Sequence, residues 1–202
     1  MIKNVIFDCG RVLIHYDTHY ICSHFADNEE DIRILSEIGM SRKYWSRFDL
    51  GTLSDAEYLR EVRTEIPEHL HFAAEAVLNS WTKLCPPIDG MNELVLDLKE
   101  RGVGLYLLSN FGKRLRADID TCFPILGELD GIVISSELGI TKPDQRIYRH
   151  TLEKYGLAAD ECVFIDDVED NVRAAESLGI HGYVFDGDAT SLREFFLKEG
   201  IL

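Results

Sequence analysis

The stretch NVIFDCGRVLIHYD, residues 4–17, opens as an apolar run, ends that run on an acid at Asp8 and breaks at Gly10. Residues 4–8 have the length and the Val, Ile and Phe content of a strand buried on both faces. Four more runs share its character: VGLYLLS at 103–109, GIVIS at 131–135, CVFID at 162–166 and GYVFD at 182–186. Each is short, rich in branched or aromatic residues, and bounded by polar residues or glycine. If Asp8 is a catalytic carboxylate, the glycine two positions later stands where a second acid could have assisted it.

Helical patterns lie between these runs. MNELVLDLKERG places Met91, Leu94 and Leu98 on one face, with Gly102 as a stop just after Lys99 and Arg101. PDQRIYRHTLEKYG and EDNVRAAESLG repeat the design, each closing on a glycine after a stripe of period 3.6. Strand and helix alternate from residue 91 onward, which predicts βα units and an open parallel sheet with helices on both faces. Between Asp8 and the second strand lie roughly eighty residues with helical signals only, so an inserted helical subdomain is expected there. Within it, LSDAEYLREV offers Ser54 as N-cap and Glu57 three residues on, a capping box. Pro86 and Pro87 mark the return to the sheet.

The totals bound the function. A chain of 202 residues, 46% hydrophobic and 28% charged, suits one water-soluble globular domain with a modest insertion. Its net charge of -15 repels a nucleic-acid backbone, and any phosphate-handling site on it needs a local cation, Lys or metal. Cys9, Cys22, Cys85, Cys122 and Cys162 are odd in number, scattered and without a CxxC pair, which points to reduced thiols rather than a disulfide framework or zinc ribbon. With no basic leader and no apolar run near the ~18 residues of a membrane span, a cytoplasmic protein is expected.

Ligands of open parallel sheets bind beyond the carboxyl ends of the strands. The polar residues at those ends are Asp8, then Ser109 and Asn110, then Asp166 and Asp167, with Lys142 after the third strand. If the first, second and fourth strands are neighbours, all reach one mouth. Singly, each fits a turn or a helix cap. Together they supply a nucleophilic carboxylate, hydroxyl and amide donors, a cation, and a carboxylate pair suited to a hard divalent metal.

At this point the chain resembles the haloacid dehalogenase-like hydrolases. VIFDCGRVL, LYLLSNF, GITKPDQRIY and CVFIDDVEDN are similar to that superfamily's four motifs, in order. The likeness is greatest to the alpha-D-glucose-1-phosphate phosphatase group, whose first motif also runs D-x-G-x-V and precedes a helical cap. The resemblance implies an α/β fold, a Rossmann-like parallel sheet core at 1–15 and 86–202 with a helical cap at 16–85. It implies a magnesium-dependent phosphatase acting on a small phosphorylated metabolite, sugar phosphates first, with no nucleic-acid or membrane partner. Asp8 would attack phosphorus and form an aspartyl-phosphate. Ser109 and Asn110 would bind the phosphoryl oxygens, and Lys142 would neutralise them while orienting Asp8. Magnesium would be held by Asp8, the Gly10 carbonyl and Asp167, with Asp166 direct or through water, and Asn171 would support that shell beside the bound substrate.

In most phosphatases of the family, the position of Gly10 is a second Asp that moves the proton. Glycine keeps the carbonyl and loses the proton transfer, a step worth ~10²- to 10⁴-fold in rate. Three explanations stand open. The leaving group could be acidic enough on its own, as an anomeric hydroxyl is. Another residue could supply the proton, with His15, Asp17 and the cap as candidates. Or the chain could be a weak or inactive binding protein on the same scaffold. A mutase needs the missing Asp, and a dehalogenase does not, although Cys9, Gly10 and Arg11 differ from the usual dehalogenase first motif.

Other groups invite chemistry and have plainer explanations. Strand alternation turns Cys9 away from Asp8 into packing. His15, His19, Cys22 and His24 complete no recognised ligand spacing. Tyr44, Trp45, Phe48 and Trp81 suit a cap core, or the stacking of a sugar ring. Asp160, Glu161, Asp186 and Asp188 suit turns and helix caps.

Overall fold

The computed structural model describes residues 1–202. Five strands, β1 (Asn4–Phe7), β2 (Gly104–Ser109), β3 (Gly131–Ile134), β4 (Cys162–Asp166) and β5 (His181–Val184), form one parallel sheet in the order β3-β2-β1-β4-β5. Every apolar run that opens or follows the first motif is a strand. β1 lies in the middle, with Asn4 level with Gly104 on one side and Cys162 on the other. The ladder runs one residue past β1, since Asp8 N donates to Ile165 O at 2.9 Å. The ends of β1, β2 and β4 therefore open on one edge of the sheet.

Between β1 and β2 the chain forms α1 (Thr18–Cys22), α2 (Glu29–Ile34), α3 (Arg42–Asp49), α4 (Asp55–Val62) and α5 (His71–Ser80), followed by α6 (Met91–Glu100) against the sheet. After β2 come α7 (Arg114–Cys122) and, beyond β3, the short α8 (Ser135–Leu138) and α9 (Gln145–Tyr155). α10 (Glu169–Glu176) joins β4 to β5, and α11 (Ala189–Lys198) closes the chain.

Strand alternation sorts the core into two layers. Val5, Phe7, Leu105, Leu107, Val163 and Ile165 face one side, where Met91, Leu94 and Leu98 of α6 and Leu192 and Phe196 of α11 cover them. Ile6, Leu108 and Phe164 face the other, under Ile147 and Tyr148 of α9 and Ala175 of α10. The stripes that predict helices are thus the faces that seal the sheet. At about 25 cal/mol per Å² of apolar surface removed from water, this burial is the main stabilising contribution. β5 departs from expectation. It is an edge strand with His181 and Val184 exposed, because no sixth strand pairs with it and α11 covers only part of its length.

Local signals hold as physical chemistry requires. Ser54 Oγ accepts from Glu57 N and Glu57 Oε2 accepts from Ser54 N at 2.9 Å, so α4 starts on a reciprocal capping box. α9 stops at Gly156, whose φ of 65° lies in the left-handed region that a Cβ penalises. The helices α1 to α5 carry their own core of Leu35, Met40, Tyr44, Tyr58, Val62 and Val77, continuous with the first sheet layer. Tyr44 and Tyr58 pack edge to face at 5.1 Å, and their hydroxyls donate to Glu65 and to the Gly39 carbonyl. The chain leaves for these helices and returns from them at adjacent points. His15 N donates to Pro86 O at 2.8 Å, and Ile14 is bridged to Pro87.

Candidate active site

Three carboxylates and one ammonium meet at the sheet edge. Lys142, with only 1% of its side chain exposed, sets its Nζ 2.9 Å from Asp8 Oδ1 and 2.6 Å from Asp166 Oδ2. Its backbone is clasped by Asn110, whose Oδ1 accepts from Lys142 N at 2.8 Å while Nδ2 donates to Lys142 O at 3.0 Å. The tip of the β2 strand thereby fixes the loop that delivers the lysine. This changes the expected part of Asn110. Its carbonyl oxygen and one amide proton hold Lys142, which leaves the second amide proton to offer a ligand.

Asp166 is fully enclosed and fully engaged. Oδ1 accepts from Val168 N at 2.8 Å and Asn171 Nδ2 at 3.0 Å, and Oδ2 accepts from Lys142 Nζ and from Asn171 Nδ2 at 3.1 Å. Its acceptor sites are filled by the chain itself. Asn171, expected beside a substrate, is buried against this carboxylate and is not among the residues that line the cavity. Asp166 and Asn171 hold Lys142 in position.

Electrostatics follow from this packing. Burial raises the Asp8 carboxyl to about 6; the Lys142 charge opposes that rise and the Asp166 charge adds to it. Burial works against the charge of Lys142, and the two carboxylates beside it outweigh burial, so its pKa rises. Asp167 is raised too, by burial first and by Asp166 second, with Arg11 opposing.

A divalent cation fits this donor set. The carboxylate oxygens of Asp8, Asp166 and Asp167 lie within 4.8 Å of one another. Asp8 Oδ1 is buried and receives no aligned hydrogen bond, since the ammonium beside it lies off the line of one. The Gly10 carbonyl accepts no backbone hydrogen bond, although the turn from Cys9 to Ile14 is tight enough to put Arg11 at φ 58°. The hard oxygens of Asp8, Gly10 and Asp167 have capacity left for magnesium, whereas Asp166, already fully hydrogen-bonded, stands beside them.

Asp8, Gly10, Ser109 and Asn110 form the floor of a cavity of about 680 Å³ whose other walls come from the helices between β1 and β2 and from the start of α7. Trp45, Phe48 and Trp81 line it with Tyr16 and Phe111; Trp81 stacks on Phe111 at 5.1 Å and meets Tyr16 edge-on at 5.6 Å. Tyr44, the fourth aromatic of that group, is buried in the helical core instead. Thr52, Ser54, Asp55, Glu57, Lys113 and Arg114 give the cavity polar groups.

Two positions on the cavity wall escape a reading by motif. Asp49 ends α3 and lines the same cavity as Asp8. Burial, then the Asp8 charge, raises its carboxyl to about 7. Its place is fixed from below, because Ser135 Oγ donates to Asp49 O at 2.6 Å and accepts from Phe111 N at 3.0 Å. Gly51 adds to the fit: a Cβ there would stand 2.4 Å from Ser136 O, and its φ is 69°. The signal in the sequence is an acid in the last turn of a helix, where the carbonyl dipole disfavours negative charge.

The remaining candidates behave as their plainer explanations require. Cys9 is fully buried in the core and its thiol is pushed up by burial. All five cysteines are free. His15, His19 and His24 are exposed, with His19 on Glu29 and His24 on the Tyr20 carbonyl, and no metal-binding group forms among them. Asp188 caps α11. No helix is long and apolar enough to cross a membrane.

Comparison with known proteins agrees with this geometry. Residues 2–179 match the model of the haloacid dehalogenase-like hydrolase family. The chain is 27% identical to a sesquiterpene phosphatase of Aspergillus oryzae, over 89% of this chain and 88% of that one. It is 25% identical to a phosphatase of Mycobacterium tuberculosis, over 92% and 88% of the two chains. Among solved structures it is similar to a HAD family enzyme from Bacteroides thetaiotaomicron in complex with magnesium and inorganic phosphate, with a TM-score of 0.74, 25% identity, and 95% and 99% of the two chains covered.

Proposed function

Because the chain belongs to the haloacid dehalogenase-like hydrolases, we propose that it is a magnesium-dependent phosphatase that hydrolyses a small phosphorylated metabolite through an aspartyl-phosphate on Asp8. The observation that carries this reading is Lys142, buried between Asp8 and Asp166 directly behind the Asp8 carboxylate that forms part of the floor of a walled cavity. A lysine so placed keeps Asp8 ionised for attack and sets positive charge where phosphoryl oxygens arrive, which offsets the repulsion of a strongly acidic chain.

In this reading Asp8 attacks phosphorus. Ser109 Oγ and the spare amide proton of Asn110 bind phosphoryl oxygens. Asp8, the Gly10 carbonyl and Asp167 would hold the metal, with Asp166 acting through Lys142 and Asn171 or through water. Bound magnesium supplies charge against the phosphoryl group. The helices of residues 16–85 serve as a cap on a core of 1–15 and 86–202, and a roofed cavity of this size selects small esters.

Sugar phosphates, alpha-glucose-1-phosphate among them, are the first substrates to test. Trp45, Phe48 and Trp81 offer flat faces to a ring, and Thr52, Ser54, Asp55 and Glu57 offer hydroxyl partners. The same aromatic wall suits an apolar ester of the kind named for the Aspergillus oryzae relative, so a terpenyl phosphate belongs in the panel. Intact Asp8, Lys142 and Asp167 weigh against an inactive binding protein.

The test is phosphate release across sugar 1-phosphates, sugar 6-phosphates and terpenyl phosphates, with and without magnesium, with Asp8→Asn as control. Magnesium-dependent turnover that disappears in Asp8→Asn supports the reading. Absence of turnover on every ester under both conditions rejects it and favours the binding protein.

A further inference from the structure

Gly10 leaves the reaction without a proton donor on β1, and the cavity contains four carboxylates: Asp8, Asp49, Asp55 and Glu57. Asp8 is the nucleophile. Asp55 is ion-paired to Arg114 at 3.4 Å and is mostly exposed. Glu57 accepts from the backbone and hydroxyl of Ser54, at 2.9 and 2.6 Å, and those bonds hold it below the usual carboxylate range. His15 and Asp17 lie outside the cavity, and Asp17 caps α1 through Tyr20 N. Asp49 alone remains, with no ion pair and no hydrogen bond from Asp8 or Lys142.

The geometry points to Asp49, brought over the floor by the Ser135 and Gly51 contacts, as the catalytic proton donor and acceptor that replaces the acid absent at Gly10. This rests on the phosphatase reading. The charged groups that act on its carboxyl are Asp8 on the floor, Lys142 buried behind Asp8, and Arg42 from its own helix. Burial, the Asp8 charge and the carboxyl end of α3 all favour the neutral form, so a protonated Asp49 is present near neutral pH.

The step balances without any further reagent. As an Asp8 oxygen bonds to phosphorus, the ester P–O bond breaks and the leaving oxygen takes the proton of Asp49, giving the free alcohol, an aspartyl-phosphate and an Asp49 carboxylate. That carboxylate then takes a proton from water as the water oxygen bonds to phosphorus and the Asp8–phosphorus bond breaks. Inorganic phosphate, ionised Asp8 and protonated Asp49 result.

Position 10 itself has room for an acid. A Cβ there would find only Tyr16 Cβ, at 3.9 Å, and Gly10 is not among the glycines of positive φ. A rescue is therefore available. Wild type, Asp49→Asn, and the double variant Asp49→Asn with Gly10→Asp are compared by single turnover, with magnesium, on an alkyl phosphate and on p-nitrophenyl phosphate, whose leaving group needs no proton. The expected result for Asp49→Asn is a loss of about 10²-fold in alcohol release from the alkyl ester and of less than about tenfold in the first release of p-nitrophenolate. Gly10→Asp in that background restores alkyl turnover by at least about tenfold. Equal losses on both esters, or no loss on the alkyl ester, overturn the assignment while leaving the phosphatase reading intact. If wild type processes neither ester and forms no phospho-Asp8, both readings fall together.

Discussion

The Ser135 hydroxyl donates to the Asp49 carbonyl at 2.6 Å across 86 positions of sequence, and it ties the carboxyl end of β3 to the last turn of α3. The same oxygen accepts from Phe111 N, so one side chain joins the loop after β2 to the roof above it. Ser135→Ala leaves two buried backbone groups without partners, a cost of about 1–3 kcal/mol. The expected outcome is a lower melting temperature together with about a tenfold loss in kcat/KM, since mispositioning of Asp49 acts on the transition state. Thermal denaturation and steady-state kinetics check both halves.

Lys142 sits between two carboxylates, and the one on Asp166 is fully enclosed. Lys142→Met should destabilise the chain by about 3–5 kcal/mol, because Asp166 is left charged and enclosed without a cation. Adding Asp166→Asn should recover much of the stability and none of the turnover. Urea denaturation of the two variants, beside phosphate release, separates the ion pair's part in folding from its part in chemistry.

The raised carboxyls set the sign of the pH dependence in the metal-free chain. Asp8 at about 6 and Asp49 at about 7 bind protons in the folded state at pH values where an unfolded aspartate, near 3.8, does not. Linkage then makes their stability contribution complete below about 4 and progressively lost as pH rises through 6 and 7. With chelator present, the melting temperature should therefore climb as pH falls from 8 to 5.5. Magnesium should flatten that climb, since it favours ionised Asp8. A flat profile in chelator would contradict the burial described for both groups.

Trp45 meets Trp81 at 6.1 Å on the cavity wall and is only partly buried, so it can be shortened without opening the sheet layer. Trp45→Ala should raise KM for the preferred ester by about tenfold while kcat changes little, because wall contacts bind ground and transition states alike. Comparing a bulky with a compact ester tells whether the wall reads the group beyond the phosphate. Equal effects on both would mean that it does not.

Much of this architecture is legible in the chain. Residues 4–8, 103–109, 131–135, 162–166 and 182–186 announce strands because buried parallel strands need unbroken apolar runs. Ser54 and Glu57 announce a helix start because their bonds are local. Asp8, Ser109, Lys142, Asp166 and Asp167 converge because strand ends must open on one edge. What is not legible depends on distant partners. Nothing near Asn110 says that its carboxamide clasps the Lys142 backbone, and nothing near Asp166 says that Asn171, Val168 and Lys142 fill its lone pairs. Asp49 looks like one more acid on a helical stretch until Gly51 meets Ser136. β5 reads as a central strand because its sequence does not show that nothing pairs beyond it.

The adjacent departure and return of the chain, at Ile14–His15 and Pro86–Pro87, has a topological consequence. To the sheet, everything between these points is a closed loop whose ends are already together, and the cost of a loop grows only slowly with its length. The length of this loop can therefore change where it does not touch the sheet layer without shifting a strand register, whereas the contacts of Asp49 and Gly51 with Ser135 and Ser136 must be kept. The segment proposed to discriminate among esters is thus hung on the sheet at a single joint, while the strand ends that gather Asp8, Lys142 and Asp166 are held by the sheet itself.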